Sequence, residues 1–182
     1  MNKAIFLDRD GTIVKRPPEG RYWTSEDQIE LLPRVDYAVK TFNDNGYKVI
    51  VATNQRGVAT GLISPESLFM MHRKIHDTLK ERNAIIDDFF ICPHDRDACE
   101  CRKPKPGLLL RASKAYDIDL KSSWMVGDRE KDILAGKAAG CKTVYIGTYN
   151  HPDGLEADFK ASDLYEASIF ITEGRYPRIT YL

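Results

Sequence analysis

The sequence contains no apolar run near the ~20 residues that a membrane-spanning helix needs, and Met1 to Lys3 lead straight into an apolar strand pattern without the charged and apolar regions of a signal peptide. It also lacks net charge. Lys plus Arg and Asp plus Glu both number 27, so no overall field draws the chain to nucleic acid or to an anionic membrane. There is no internal repeat, no low-complexity tract and no linker-like stretch that would divide it. Cysteine is scarce: there are four, three of them within ten positions. Together these absences lead to the expectation of a cytoplasmic protein with no nucleic-acid or membrane partner, taken as a monomer by default. In a reducing compartment the cysteines stay as thiols, and thiols clustered so tightly suggest a metal.

What is present is an ordinary globular mix, 42% hydrophobic and 30% charged over 182 residues. A chain of this length fits a single domain, residues 1–182, able to bury roughly 70% of the surface its unfolded form exposes. Short apolar runs mark strands buried on both faces at Ala4 to Leu7, Lys48 to Ala52, Asp88 to Ile91, Ser123 to Val126 and Lys142 to Ile146. Between them, Val35, Ala38, Val39 and Phe42 recur at helical spacing, as do Leu68, Met71, Ile75 and Leu79 after Ser64-Pro65. Leu108 to Tyr116 and Asp132 to Ala139 give two more helices. Strand alternating with helix predicts a Rossmann-like α/β fold, a mostly parallel sheet flanked by helices. Residues 15–32 are polar, aromatic and Pro-containing without a period, an insertion placed to form part of a substrate rim. Farther on, Phe159 to Asp163 suggest an edge strand and Leu164 to Ile171 a final helix.

Two groups of residues carry chemistry. Asp8-Arg9-Asp10-Gly11-Thr12 follows the first strand, at the end where ligands bind in open α/β sheets. If the chain turns there, which Gly11 permits, both carboxylates can face one site, one as nucleophile and the other as proton shuttle. The second group is Cys92-Pro93-His94 with Cys99-Glu100-Cys101. Three thiols and an imidazole make a closed tetrahedral zinc shell, structural rather than catalytic because no position stays open for water. This zinc loop, residues 92–101, runs directly into Arg102-Lys103. Cys141 lies outside it and reads as a small buried hydrophobe.

The Asp-x-Asp-Gly-Thr sequence after an apolar strand resembles the first signature of the haloacid dehalogenase (HAD) superfamily of phosphatases. The other signatures follow in order: Thr53 in Val51-Ala52-Thr53-Asn54-Gln55, Lys103 in Arg102-Lys103-Pro104, and Gly127-Asp128 with Asp132 four residues on. The resemblance implies a HAD-like fold and a magnesium-dependent phosphoric monoester hydrolase. In that scheme Asp8 accepts the phosphoryl group, Asp10 serves as acid and base, and Thr53 and Lys103 hold the transferring oxygens. Asp8, the Asp10 backbone carbonyl and Asp128 would hold Mg2+, a hard cation that prefers oxygen.

Taken with Thr-Asn-Gln-x-Gly, Cys-Pro-His and Cys-x-Cys-Arg-Lys-Pro-x-Pro-Gly, the pattern resembles one branch of that superfamily. The branch includes the D-glycero-D-manno-heptose 1,7-bisphosphate 7-phosphatases and the histidinol-phosphate phosphatases. It implies no large cap domain and a small phosphorylated metabolite as substrate, with Asn54, Gln55, Arg56, Arg102 and Arg129 facing it. Pro106-Gly107 favours the heptose enzymes, whereas the short zinc loop and the 15–32 segment depart from them. Histidinol phosphate is the alternative substrate. A polynucleotide 3′-phosphatase and an inactive zinc-stapled binding module are the remaining readings.

Overall fold

The computed structural model describes residues 1–96, 98–147 and 156–174. Among these residues six parallel strands form one sheet: β1 (Lys3–Leu7), β2 (Tyr47–Asn54), β3 (Asp88–Cys92), β4 (Trp124–Gly127), β5 (Lys142–Ile146) and β6 (Phe159–Ala161). Their spatial order is β3-β2-β1-β4-β5-β6. Five helices flank them: α1 (Val35–Asp44), α2 (Pro65–Lys80), α3 (Gly107–Tyr116), α4 (Glu130–Ala139) and α5 (Leu164–Glu173).

The period-2 alternation of each strand decides which helices cover which face. Ile5 and Leu7 of β1, Val49 and Val51 of β2 and Val126 of β4 share one apolar cluster with Val35, Ala38 and Phe42 of α1, Ile75 and Leu79 of α2, and Leu164 and Ala167 of α5. Ala4, Phe6, Ile50, Ala52 and Met125 point the other way, onto Leu108, Leu109 and Ala112 of α3 and Ala139 of α4. All of these side chains are buried. Both faces being covered explains why the strands read as unbroken apolar runs.

The expected elements are all present, with ends shifted by at most three residues. Every described strand pairs in parallel, β6 supplies the sixth, and α5 extends to Glu173. Helix starts follow their caps. Ser64 Oγ accepts the Ser67 amide at 3.0 Å, with Pro65 in the first turn, and Asp163 accepts the Glu166 amide at 2.8 Å. Among the described residues no helix is long and apolar enough to cross a membrane.

Residues 15–32 do not build a cap domain. Their only regular element is a 3-10 turn at Glu26–Gln28, and the segment closes on itself. Trp23 Nε1 donates to the Lys15 carbonyl at 2.9 Å, Lys15 N to Glu30 O at 2.9 Å and Leu32 N to Ile13 O at 2.9 Å.

The consequential feature is the strand order. β1 has β2 on one side and β4 on the other, so the chain reverses its direction of winding there. The crevice beyond the carboxyl ends of two such strands is where ligands bind in open α/β sheets. Asp8 follows β1 directly, and Asp128 follows β4.

Candidate active site

The turn after β1 is fixed by backbone hydrogen bonds. Asp8 N donates to Val126 O at 3.0 Å, the Arg9 carbonyl accepts from Ile13 N at 2.9 Å and Val14 N at 3.0 Å, and Gly11 N donates to Val14 O at 2.8 Å. Gly11 has φ +90, open to glycine and strained for other residues. A Cβ there would lie 1.8 Å from Asp128 Oδ2. Glycine is therefore required twice over, for the turn and for the space that the second carboxylate occupies.

Behind Asp8 lies Lys103. Its side chain is fully buried, with Nζ 2.9 Å from Asp8 Oδ1 and 2.7 Å from Asp132 Oδ1. The Asn54 side chain clamps its backbone, Oδ1 accepting from Lys103 N at 3.1 Å and Nδ2 donating to Lys103 O at 3.0 Å. The other oxygen of Asp132 accepts the Arg129 amide at 3.1 Å, so one carboxylate caps α4 and neutralises the lysine.

Charge at this site is tightly balanced. Burial pushes the Asp8 carboxyl up, but Lys103, Lys131 and the bonds from Lys103 and the Arg9 amide outweigh it and hold Asp8 below the usual carboxylate range. Burial also opposes charge on Lys103, yet Asp132 and Asp8 raise it overall. Burial and then repulsion by Asp8 raise Asp128, against the pull of Arg16. The same two causes push Asp132 up to about 6, against the pull of Lys103.

Asp8, Asp128 and Asp132 each offer a carboxylate oxygen, and these atoms lie within 4.8 Å of one another. Asp128 Oδ1 is buried without a hydrogen-bond partner. Three converging carboxylates, one with an unsatisfied buried oxygen and two that repel, suit a hard divalent cation.

Most of the expected site residues meet here. Asp8, Asp10, Thr53, Asn54, Gln55, Arg56, Arg102 and Arg129 line one cleft of about 500 Å³. Lys103 lies beneath it, and Asp128 lines the adjoining cleft with Gly11 and Thr12. The Gln55 amide is engaged internally, donating to Asp10 Oδ2 at 3.1 Å and Thr53 Oγ1 at 2.9 Å. Thr53 keeps its own hydroxyl proton for another acceptor. Arg56 pairs with Asp95, and Arg102 has a buried NH1 without a partner. A larger apolar cavity of about 760 Å³ lies elsewhere, between α2 and β3.

The cysteine cluster also converges. Cys92 Sγ is 3.7 Å from His94 Nδ1 and 3.5 Å from Cys99 Sγ, while Cys101 Sγ is 3.3 Å from His94 Nδ1 and 3.2 Å from Cys99 Sγ. Edges of this length approach those of a tetrahedron built on Zn–S bonds of about 2.3 Å and Zn–N bonds of about 2.0 Å. Burial opposes ionisation of Cys99, but bonds from Cys101, the Arg102 amide and Cys92 pull it down to about 6. The loop packs closely on α3: a Cβ on Gly107 would meet Glu100 O at 2.3 Å. Cys141 lies apart and buried.

The HAD-hydrolase-like family model matches residues 100–167. The D-glycero-alpha-D-manno-heptose-1,7-bisphosphate 7-phosphatase of Photorhabdus laumondii is 38% identical over 158 residues, 82% of this chain and 85% of that protein. The chain belongs to the heptose-bisphosphate phosphatase family of the HAD superfamily. Another member, the D-glycero-beta-D-manno-heptose-1,7-bisphosphate 7-phosphatase of Pasteurella multocida, is 38% identical over 156 residues, 81% of this chain and 83% of that one. In structure, the family's D,D-heptose 1,7-bisphosphate phosphatase from B. bronchiseptica, crystallised with magnesium and phosphate, superposes with a TM-score of 0.84 at 31% identity. It covers 95% of this chain and 99% of that chain.

The sequence reading missed Arg16, Arg9 and His72. Arg16, from the 15–32 segment, pairs with Asp128. Arg9, inside the first signature, grips Asp10 and meets His72 of α2. A long cationic side chain between two carboxylates just past a buried strand was the available hint for Arg9, whereas nothing in sequence links positions 16 and 128. Asp132 was noted as part of a signature, but its pairing with Lys103 was not. Because Lys103 neutralises two buried carboxylates, Lys103→Met is expected to lower the unfolding free energy of the metal-free protein by about 3–5 kcal/mol. Urea unfolding checks this; an unchanged midpoint would mean that the pairs contribute no net stability.

Proposed function

We propose that this protein hydrolyses the 7-phosphate of D-glycero-D-manno-heptose 1,7-bisphosphate through a phosphoryl-aspartate on Asp8. The observation that carries this reading is the state of Asp8: a buried carboxylate kept anionic by Lys103 at the crevice between β1 and β4, with Asp10 two residues away. A carboxylate held charged and partly stripped of water is a competent nucleophile for phosphorus.

In the first step an Asp8 oxygen bonds to phosphorus, the P–O ester bond breaks, and Asp10 gives its proton to the departing sugar oxygen. In the second, water attacks the phosphorus of the acylphosphate, Asp10 takes the proton from that water, and the P–O bond to Asp8 breaks. Lys103 and the Thr53 hydroxyl stabilise the charge on the transferring oxygens. Asp8, the Asp10 backbone carbonyl and Asp128 would hold Mg2+, with Asp132 nearby as the counter-charge of Lys103. Bound there, the ion would supply the neutralisation that lets an anionic ester approach two carboxylates.

The cleft supports a substrate with a second phosphate. Among the described residues Arg9, Arg16, Arg21, Arg56, Arg96, Arg102, Arg129 and Lys131 line it against only Asp8 and Asp10. Arg102, with its unpartnered NH1, is the residue we assign to the anomeric phosphate, through the paired donors a guanidinium offers. Arg56 and Arg129 line the same cleft. The assignment of heptose rests on the relatives, whose names divide between the α and β anomers at equal identity.

Zn2+ is assigned to Cys92, His94, Cys99 and Cys101, where it would fix the loop that carries Arg102 and Lys103. One zinc per chain is expected by elemental analysis, and stripping it with a chelator should lower both melting temperature and turnover; a metal-free, fully stable and active protein would refute the assignment. Asp8→Asn should abolish turnover while circular dichroism stays that of the folded parent, with a lowered melting temperature because Lys103 loses one of its two buried counter-charges; a near-normal rate would remove Asp8 as nucleophile. In a magnesium-dependent assay at matched concentrations, both anomers of the heptose bisphosphate should be compared with histidinol phosphate and a 3′-phosphorylated oligonucleotide. The highest kcat/KM is expected on one heptose anomer; preference for either of the other two would overturn the substrate.

A further inference from the structure

Among the described residues Arg9 is the bulkiest side chain that is fully buried, at 1% exposure. Its guanidinium spans two partners. On one edge Nε donates to Asp10 Oδ2 at 3.1 Å, and NH2 donates to Oδ1 at 3.1 Å and Oδ2 at 2.8 Å. On the other, NH1 lies 3.3 Å from Nε2 of His72, a buried residue of α2. The imidazole stacks on Phe89 of the edge strand β3, with centroids 4.8 Å apart and planes 18° apart. A continuous line of contact thus runs from the sheet edge through α2 to the carboxylate of Asp10.

A guanidinium has donors and no acceptor, so Nε2 of His72 accepts and the ring proton resides on Nδ1. We propose that His72 is a positioning residue for the acid–base step: by accepting a hydrogen bond from Arg9, it fixes the guanidinium that aims the Asp10 carboxylate. The proposal rests on the acid–base role given to Asp10 above. Burial and the charge of Arg9 pull the imidazole down to about 3, which keeps the acceptor available through the neutral range. Asp10 needs such a brace. It is partly exposed, it directly precedes the glycine turn, and Gln55 is its other described side-chain partner. Proton transfer is sensitive to small displacements of the transferring group.

If His72 only fills the space between α2 and β3, its loss slows every substrate equally. If it aims the acid, the loss depends on the leaving group, because a sugar alkoxide must be protonated as it departs and p-nitrophenolate need not be. In the magnesium-loaded enzyme, His72→Phe keeps a ring for Phe89 and removes the acceptor. Its kcat on heptose bisphosphate is expected to fall roughly tenfold or more, with KM little changed and a much smaller fall on p-nitrophenyl phosphate. His72→Gln, which restores an acceptor, should recover most of the loss. Equal loss on both substrates, or none, overturns the proposal. Asp10→Asn run alongside separates the two readings: if that variant shows no leaving-group bias, the acid–base assignment of Asp10 fails; if it does and His72→Phe does not, the role of His72 fails alone. Should His72→Phe not fold, nitrogen NMR of the unmodified protein decides. A neutral ring protonated on Nδ1 supports the proposal, and a proton on Nε2 overturns it.

Discussion

The ammonium of Lys103, enclosed between Asp8 and Asp132, is the interaction on which the site depends. An unpaired charge at that depth would cost several kcal/mol, and either carboxylate alone would lose its proton less readily. The triad settles the matter collectively: the lysine stays charged because two acids face it, and Asp8 stays charged because the lysine does. The same carboxylate of Asp132 caps α4 through the Arg129 amide, so the helix after β4 is locked to the charge balance of the loop after β1. Disturbing the triad therefore alters both packing and reactivity.

Everything around it holds that lysine still. Its backbone is clamped by Asn54 at the end of β2, and the cysteine cluster lies just upstream, pressed on the start of α3 at Gly107. The parallel sheet places the ends of β1, β2 and β4 side by side, which lets residues 8, 53, 103 and 128 meet although the sequence scatters them over 120 positions. Local rules build the pieces, and the winding reversal between β1 and β4 brings them together.

The fold was largely legible because burial on both faces leaves unbroken apolar runs, and amphipathic helices leave their own period. Strand ends were less so: β2 runs on to Asn54 because Thr53 and Asn54 pair with Ile91 and Cys92, a long-range constraint with no local mark. The candidate site was legible wherever a residue type is tied to a spacing, as in the Asp-x-Asp pair and the Cys/His cluster. It was opaque wherever a long side chain crosses the molecule. Arg16 reaching Asp128 and Arg9 reaching His72 span 112 and 63 positions, and an arginine's sequence position says little about where its guanidinium ends. Asn54 and Gln55 line the cleft, and their amides also brace Lys103, Asp10 and Thr53, contacts that no spacing foretells.

The 15–32 loop is hydrogen-bonded to its own stem through Trp23, Lys15 and Glu30, rests Tyr22, Trp23 and Ile29 on Ile63, Leu68 and Met71, and reaches the reactive centre through the guanidinium of Arg16. Such an arrangement separates two kinds of evolutionary change. The exposed positions between those anchors can change in size or charge to suit a different sugar or polyol, while the buried ionic core beneath keeps its own contacts.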